Sequence, residues 1–89
     1  MLIEFDPVKD AANYAKHGVL LTTVEQFEWG SALISADARS EYGEARFVAY
    51  GLIGTRVHCL VYTVRGSALR IISLRRANQR EVKRYEHET

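Results

Sequence analysis

Residues 60–76, LVYTVRGSALRIISLRR, restrict the folds open to this chain more than any other stretch. Two apolar runs rich in β-branched and aromatic residues, Leu60–Val64 and Ala68–Leu74, flank Arg65-Gly66-Ser67, the pattern of two antiparallel strands joined by a tight turn. Such a hairpin belongs in the middle of a sheet. Its cations are the unusual feature. Arg65, Arg70, Arg75 and Arg76 lie in or against the strands, where a charged side chain needs a carboxylate partner or an anionic ligand. Together on one hairpin they point to a polyanion.

Eighty-nine residues provide for one domain, 1–89, with one small core. No apolar run approaches the ~18–20 residues that cross a bilayer. The amino terminus, MLIEFDP, lacks a basic region followed by an apolar stretch, so a cytoplasmic protein is expected. The single Cys59 provides neither an internal disulfide nor a structural zinc site, in keeping with a reducing compartment. A formal net charge of +1 conceals an asymmetry: residues 1–44 carry three Lys and Arg against eight carboxylates, residues 45–89 nine against three. Because a folded domain interleaves its halves, the asymmetry fits both an ordinary mixed surface and a face that steers phosphate.

Leu2–Phe5 reads as a short edge strand. Asp6 and Pro7 then start a helix, one as N-cap and the other with its φ preset. Val8, Ala11, Ala12 and Ala15 have the spacing of a buried stripe, with Lys9, Asp10, Asn13 and Lys16 pointing elsewhere. Gly18 supplies the left-handed stop. Lys16 and His17 therefore fall in the last turn, where the helix dipole favours a protonated imidazole; the plain alternative is that they cap loose carbonyls. Thr23 and Gln26 have capping-box spacing for a second short helix, and Val24, Phe27 and Trp29 would pack on the sheet.

Further strands are expected over Ala32–Ala36, Ala45–Ile53, Arg56–Val64 and Leu69–Leu74. In the second of these Phe47, Ala49 and Gly51 share one side and Arg46, Val48 and Tyr50 the other; strict alternation in the last puts Arg70 on the face of Ile72 and Leu74. His58 and Cys59 read as packed strand residues. The polar connection 37–44 offers room for substrate contact. Asn78 and Glu81 form a capping box for a closing helix that turns Val82 and Tyr85 inward, with His87 in its tail. The order β-α-α-β-β-β-β-α predicts an α+β domain with helices packed on a small antiparallel sheet.

The sequence holds no glycine-rich phosphate loop, no paired His or Cys at metal spacing and no G-x-S-x-G turn. Its carboxylates do not form the set that a two-metal nuclease needs. A site without metal or cofactor is expected, made of cations and a few proton-transfer groups. Such equipment suits RNA cleavage, in which the 2′-hydroxyl attacks the adjacent phosphate: a base removes its proton, cations stabilise the crowded phosphorane and an acid protonates the leaving 5′-oxygen. DNA lacks that hydroxyl.

Six fragments in order carry a resemblance: F-D-P-x-K at Phe5–Lys9, N-x-x-K-H-G at Asn13–Gly18, R-F at Arg46-Phe47, V-Y-T-x-R-G at Val61–Gly66, R-I-I-S-x-R-x-A at Arg70–Ala77 and E-x-x-x-Y at Glu81–Tyr85. The set resembles the BrnT family of toxin ribonucleases. That resemblance implies a RelE-like fold, metal-independent RNA cleavage and neutralisation by a BrnA-like ribbon-helix-helix antitoxin, as a 2:2 heterotetramer built on an antitoxin dimer that also contacts DNA. It implies Lys16, His17, Arg46, Arg70 and Arg75 as catalytic residues and Arg65 and Tyr85 as substrate-binding ones, with packing the alternative for Tyr85; Arg76, from the cation set of the hairpin, is expected to bind substrate with them. Leu21 and Leu74 depart from the family pattern, which has an aromatic at the first and a small residue at the second. The alternative is a non-catalytic module that binds RNA or an acidic partner through the same arginines.

Overall fold

The computed structural model describes residues 2–37 and 45–89. Most of the connection expected over 37–44, from residue 38 on, lies outside the described residues. The elements run β1 (Leu2–Glu4), α1 (Pro7–His17), two short 3-10 helices (Leu21–Gln26 and Trp29–Ser31), β2 (Leu33–Asp37), β3 (Arg46–Ile53), β4 (Arg56–Arg65), β5 (Ala68–Arg76) and α2 (Gln79–Glu88). The strands form one sheet in the order β1-β5-β4-β3-β2, in which β1 lies parallel to β5 and the other neighbours are antiparallel. The sheet is therefore mixed and not wholly antiparallel; α1 follows the β5 edge, and the 3-10 helices carry the chain across the sheet toward β2 before the meander begins. The stretch read as a second α-helix is 3-10 and has no side-chain cap; its first free N–H, that of Leu21, is taken by Asp10 Oδ1 at 2.7 Å.

The central hairpin turns on two residues, with Arg65 opposite Ala68 and Gly66 at a φ of +59°, a conformation that glycine adopts without strain. One feature of β5 departs from strict alternation. A bulge between Val61 and Tyr62 pairs them with Ser73 and Ile71, so Ile72 has no partner on β4. The extra residue reverses the parity of everything after it. Leu69, Ile71 and Leu74 share the core face with Leu60 and Tyr62, while Arg70, Ser73 and Arg75 share the other. The expectation that Arg70 lies with Leu74 is corrected on this ground.

On the core face Leu21, Val24 and Phe27 cover Ala49, Leu60, Ile71 and Leu74. Leu21 and Leu74 are both wholly buried. Gly51 allows the Phe27 ring to lie flat on β3: a Cβ there would come within 2.5 Å of the ring's Cζ. Gly51→Ala is therefore expected to destabilise by about 1–3 kcal/mol, read from the midpoint of denaturant unfolding at unchanged slope.

Helix α1 starts and stops as its sequence requires. Asp6 accepts from the Val8 N–H at 2.8 Å, and Gly18, at a φ of +71°, donates to Tyr14 O at 2.7 Å. Its inward edge is the reverse of the expected one. Val8 is 75% exposed and Ala11, Ala12 and Ala15 face out, whereas Asp10 and His17 are half-buried and Asn13 is buried. The inward line Asp10-Asn13-His17 follows the same helical spacing, and polar atoms pack inward because α1 runs along the edge of β5 and has unpaired main-chain groups to satisfy.

Helix α2 opens with the full capping box: Glu81 N–H donates to Asn78 Oδ1 at 2.9 Å and Asn78 N–H to Glu81 Oε1 at 2.8 Å. It lies on the face opposite the core, over the Tyr50 end of β3, and buries Tyr85.

Candidate functional site

Register places the cations of this second face in rows across the sheet. Glu4, Arg70, Thr63, Arg46 and Asp37 are successive partners from β1 to β2. Ser73, Val61 and Val48 form the next row, and Arg75, Cys59 and Tyr50 the one after. Thr63 and Cys59 are four residues apart on β4, so the two charged rows lie about 13 Å from one another. Arg65 extends the first row, two residues beyond Thr63 on the same face.

Each row has its own character. Arg70 approaches Glu4 at only 3.9 Å with both side chains partly in solvent, an ion pair that holds its geometry loosely and leaves the guanidinium accessible. Arg75 is locked: Nη1 and Nη2 donate to Glu81 Oε1 and Oε2 at 2.8 and 2.9 Å, and Nη1 also reaches Arg76 O at 3.3 Å. Three of the five guanidinium donors are thereby engaged, leaving two for another acceptor. Tyr50 Oη donates to Glu81 Oε2 at 3.0 Å. The Arg75 hydrogen bonds hold the Glu81 carboxyl at about 2, far below its usual 4.5, and Glu81 in turn raises Arg75 above the ordinary guanidinium value. Burial, the adjacent Cys59 and the Glu81 carboxylate push the Tyr50 phenol up to about 12, and burial raises the Cys59 thiol, so both stay protonated near neutrality.

The carboxyl end of α1 meets this face beside Ser73. Lys16 and His17 line a shallow cleft of about 210 Å³ with Lys9, Asn13, Ile72 and Ser73. His17 titrates below 6.5 because of burial first, then the positive charges of Lys16 and Arg75. The helix dipole alone would have raised it; against burial and two cations it does not win. At neutral pH the imidazole is thus mainly the free base.

Of the residues singled out from the sequence, Lys16, His17 and Arg75 come together at one end of this face, and Arg46, Arg65 and Arg70 at the other. Arg76 and Tyr85 join neither group. Arg76 lies in register with His58 and lines a separate cleft of about 480 Å³ with Arg56 and Tyr85. Tyr85 is buried, its hydroxyl 3.4 Å from Ser31 Oγ. His58 is buried too, with Nδ1 at 2.9 Å from Arg56 O. Among the described residues no group of three or more His, Cys, Asp or Glu could hold a metal ion. The opposite face carries an apolar groove of about 480 Å³ lined by Trp29, Ile34, Tyr62, Val64 and Leu69, with Glu25 as its one charged wall.

A family model described as "Ribonuclease toxin, BrnT, of type II toxin-antitoxin system" matches residues 5–81 of the 89. The chain belongs to the BrnT family. Membership makes it a ribonuclease toxin by family, with RNA as substrate class and an antitoxin as partner. No curated protein matches the chain. The BrnT match takes in every element from α1 to β5 and the first turn of α2, so Lys16, His17, Arg75 and Glu81 all lie inside it. No helix of the described residues is long and apolar enough to cross a membrane.

Sequence reading missed Tyr50, Ser73 and Asn13 as members of this site. Tyr50 was legible as a partner of Arg46 on one side of β3. Ser73 was not, since only the bulge at Ile72 brings it round to this face.

Proposed function

We propose that this BrnT-family chain is a metal-independent endoribonuclease that cleaves RNA by attack of the 2′-hydroxyl on the adjacent phosphate. The observation that carries this reading is His17, a free base at neutral pH, set beside Lys16 in a cleft open to solvent and within reach of the charge of the oriented Arg75. His17 takes the proton from the 2′-hydroxyl. Lys16 and the two remaining Arg75 N–H groups bind the scissile phosphate and stabilise its added charge. Lys16 also offers an ammonium proton for the leaving 5′-oxygen. Arg46 and Arg70, one row-span of about 13 Å away, and Arg65, two residues farther along β4, hold neighbouring phosphates. Arg76 and Tyr85 take no part.

In this reading the chain acts as one RelE-like domain in the cytoplasm, silenced by a BrnA-like ribbon-helix-helix antitoxin in a 2:2 assembly whose DNA contacts come from the antitoxin. An acidic antitoxin segment laid over the arginine face would block substrate by charge complementarity. Incubation of the purified protein with RNA in EDTA is expected to give fragments ending in 2′,3′-cyclic phosphate, with DNA of the same sequence left intact. Retention of RNA without cleavage would reject the catalytic reading. That outcome would favour a binding module, a reading supported by Glu81 neutralising Arg75 and by Glu4 lying beside Arg70.

A further inference from the structure

Helix α1 is hydrogen-bonded to β5 through a side-chain amide. Asn13 Nδ2 donates to Val19 O at 2.7 Å and to Leu74 O at 2.8 Å, and Asn13 Oδ1 accepts from Leu74 N–H at 3.2 Å. Both main-chain groups of Leu74 point away from β4, toward the edge that β1 leaves uncovered, since β1 pairs with β5 only from Ala68 to Arg70. A carboxamide presents a donor and an acceptor side by side, as a backbone amide does, so Asn13 continues the sheet edge where the strand has ended. The amide is only 7% exposed, and each of the three main-chain atoms it serves would otherwise need another partner.

The position of this amide gives it a second consequence. His17 is one helical turn beyond Asn13 on the same inward line, and Leu74 stands between Ser73 and Arg75 on β5. The bond between Asn13 and Leu74 thus links the helix that carries the imidazole to the strand that carries the guanidinium. The bulge at Ile72 makes the arrangement possible, because it sends Ser73 and Arg75 to one face while leaving Leu74 in the core with its edge groups open. Removing the amide would free α1 to slide along β5, and misplacement of a proton-transfer group by about 1 Å lowers rates on the order of 10²-fold.

We propose that Asn13 is a positioning residue for the ribonuclease reaction, clamping α1 to Leu74 so that His17 stands at a fixed distance from Arg75 and Ser73. The proposal rests on the reading of His17 as the proton-transfer group. It is tested with Asn13→Ala and, as a milder variant, Asn13→Ser. The expected result is a folded protein by circular dichroism, a kcat lower by roughly 10- to 100-fold and a KM for RNA within about twofold of wild type. The imidazole pKa of His17, followed by NMR, is expected to rise toward 6.5 as the ring loses its burial against β5 and leaves Arg75. In a His17→Ala background the same substitution should lower the residual rate by much less than it does in wild type, since of the groups α1 carries only Lys16 is then left to be displaced. Wild-type kcat with an unmoved His17 resonance in either folded variant overturns the proposal, and so does failure of both variants to fold, which would assign Asn13 to stability alone. Full activity of His17→Ala by itself would instead reject the reading of His17, while a shifted resonance in the Asn13 variants would still show the clamp.

Discussion

Replacement of His17 by alanine is expected to lower RNA cleavage by roughly 10²- to 10⁴-fold, the range that a positioned general base contributes, while the unfolding free energy stays within about 0.5 kcal/mol. The two readouts separate because of where the ring sits. It is half-buried at a helix end, among the described residues no hydrogen bond holds it, and the helix stop is made by Gly18 and not by the imidazole. The pH profile carries a sign that an inert histidine would not produce. A base with its pKa depressed by burial, Lys16 and Arg75 is active above that pKa, so the rate should rise with pH below 6.5 and be level by neutrality. The same depression affects stability in acid. The unfolded chain binds a proton at 6.5 and the folded chain only at lower pH, so His17 removes stability as pH falls from 6.5 to its folded value, and His17→Ala removes that limb.

How much of this could be read from the sequence depends on whether a feature is local. The ends of α1, the capping box of α2 and the glycine turn of the hairpin are set by side chains within four residues of one another, and all are as expected. The side of β3 that carries Arg46 and Tyr50 follows from strict alternation along a strand without a bulge. Two features are non-local, and both were misread. Nothing in R-I-I-S-L-R says that Ile72 will be extruded, so the face of Arg70 came out inverted. The alanines of α1 look like a buried stripe only if the helix packs on apolar surface. It packs on a strand edge, where an amide is worth more than a methyl, and Asn13 points inward instead. The grouping of the arginines into two rows follows from that bulge, and so lay beyond reach of the sequence as well.

Glu81 is expected to give the largest effect on stability, because one carboxylate serves three elements. It closes the capping box of α2, receives both Arg75 nitrogens of β5 and accepts the Tyr50 hydroxyl of β3. Its carboxyl titrates at about 2 in the fold against 4.5 unfolded, chiefly through the Arg75 hydrogen bonds. Taken at face value that difference is worth about 3 kcal/mol; Arg75 is 35% exposed, and screening reduces the figure to about 2 kcal/mol. The sign is fixed by the depressed value: the contribution is complete above 4.5 and is lost as pH falls from 4.5 toward 2. Glu81→Gln keeps an acceptor for Tyr50 and for the helix start but removes the charge. It should lower stability at neutral pH by about 2 kcal/mol and lose less stability in acid than wild type does. Glu81→Ala also removes the cap, adding about 1 kcal/mol. Denaturant unfolding of the three proteins at pH ~7 and pH ~3 measures both differences. Equal stability of Glu81→Gln and wild type at neutral pH would show the Arg75 pair to be energetically idle. The charge reaches the candidate site as well. Without the carboxylate, Arg75 acts on His17 as a bare cation, so the imidazole pKa should fall further and the acid limb of the cleavage profile should move to lower pH in Glu81→Gln. A shift in the opposite direction would mean that Arg75 had swung away, and that the carboxylate orients the guanidinium rather than merely offsetting its charge.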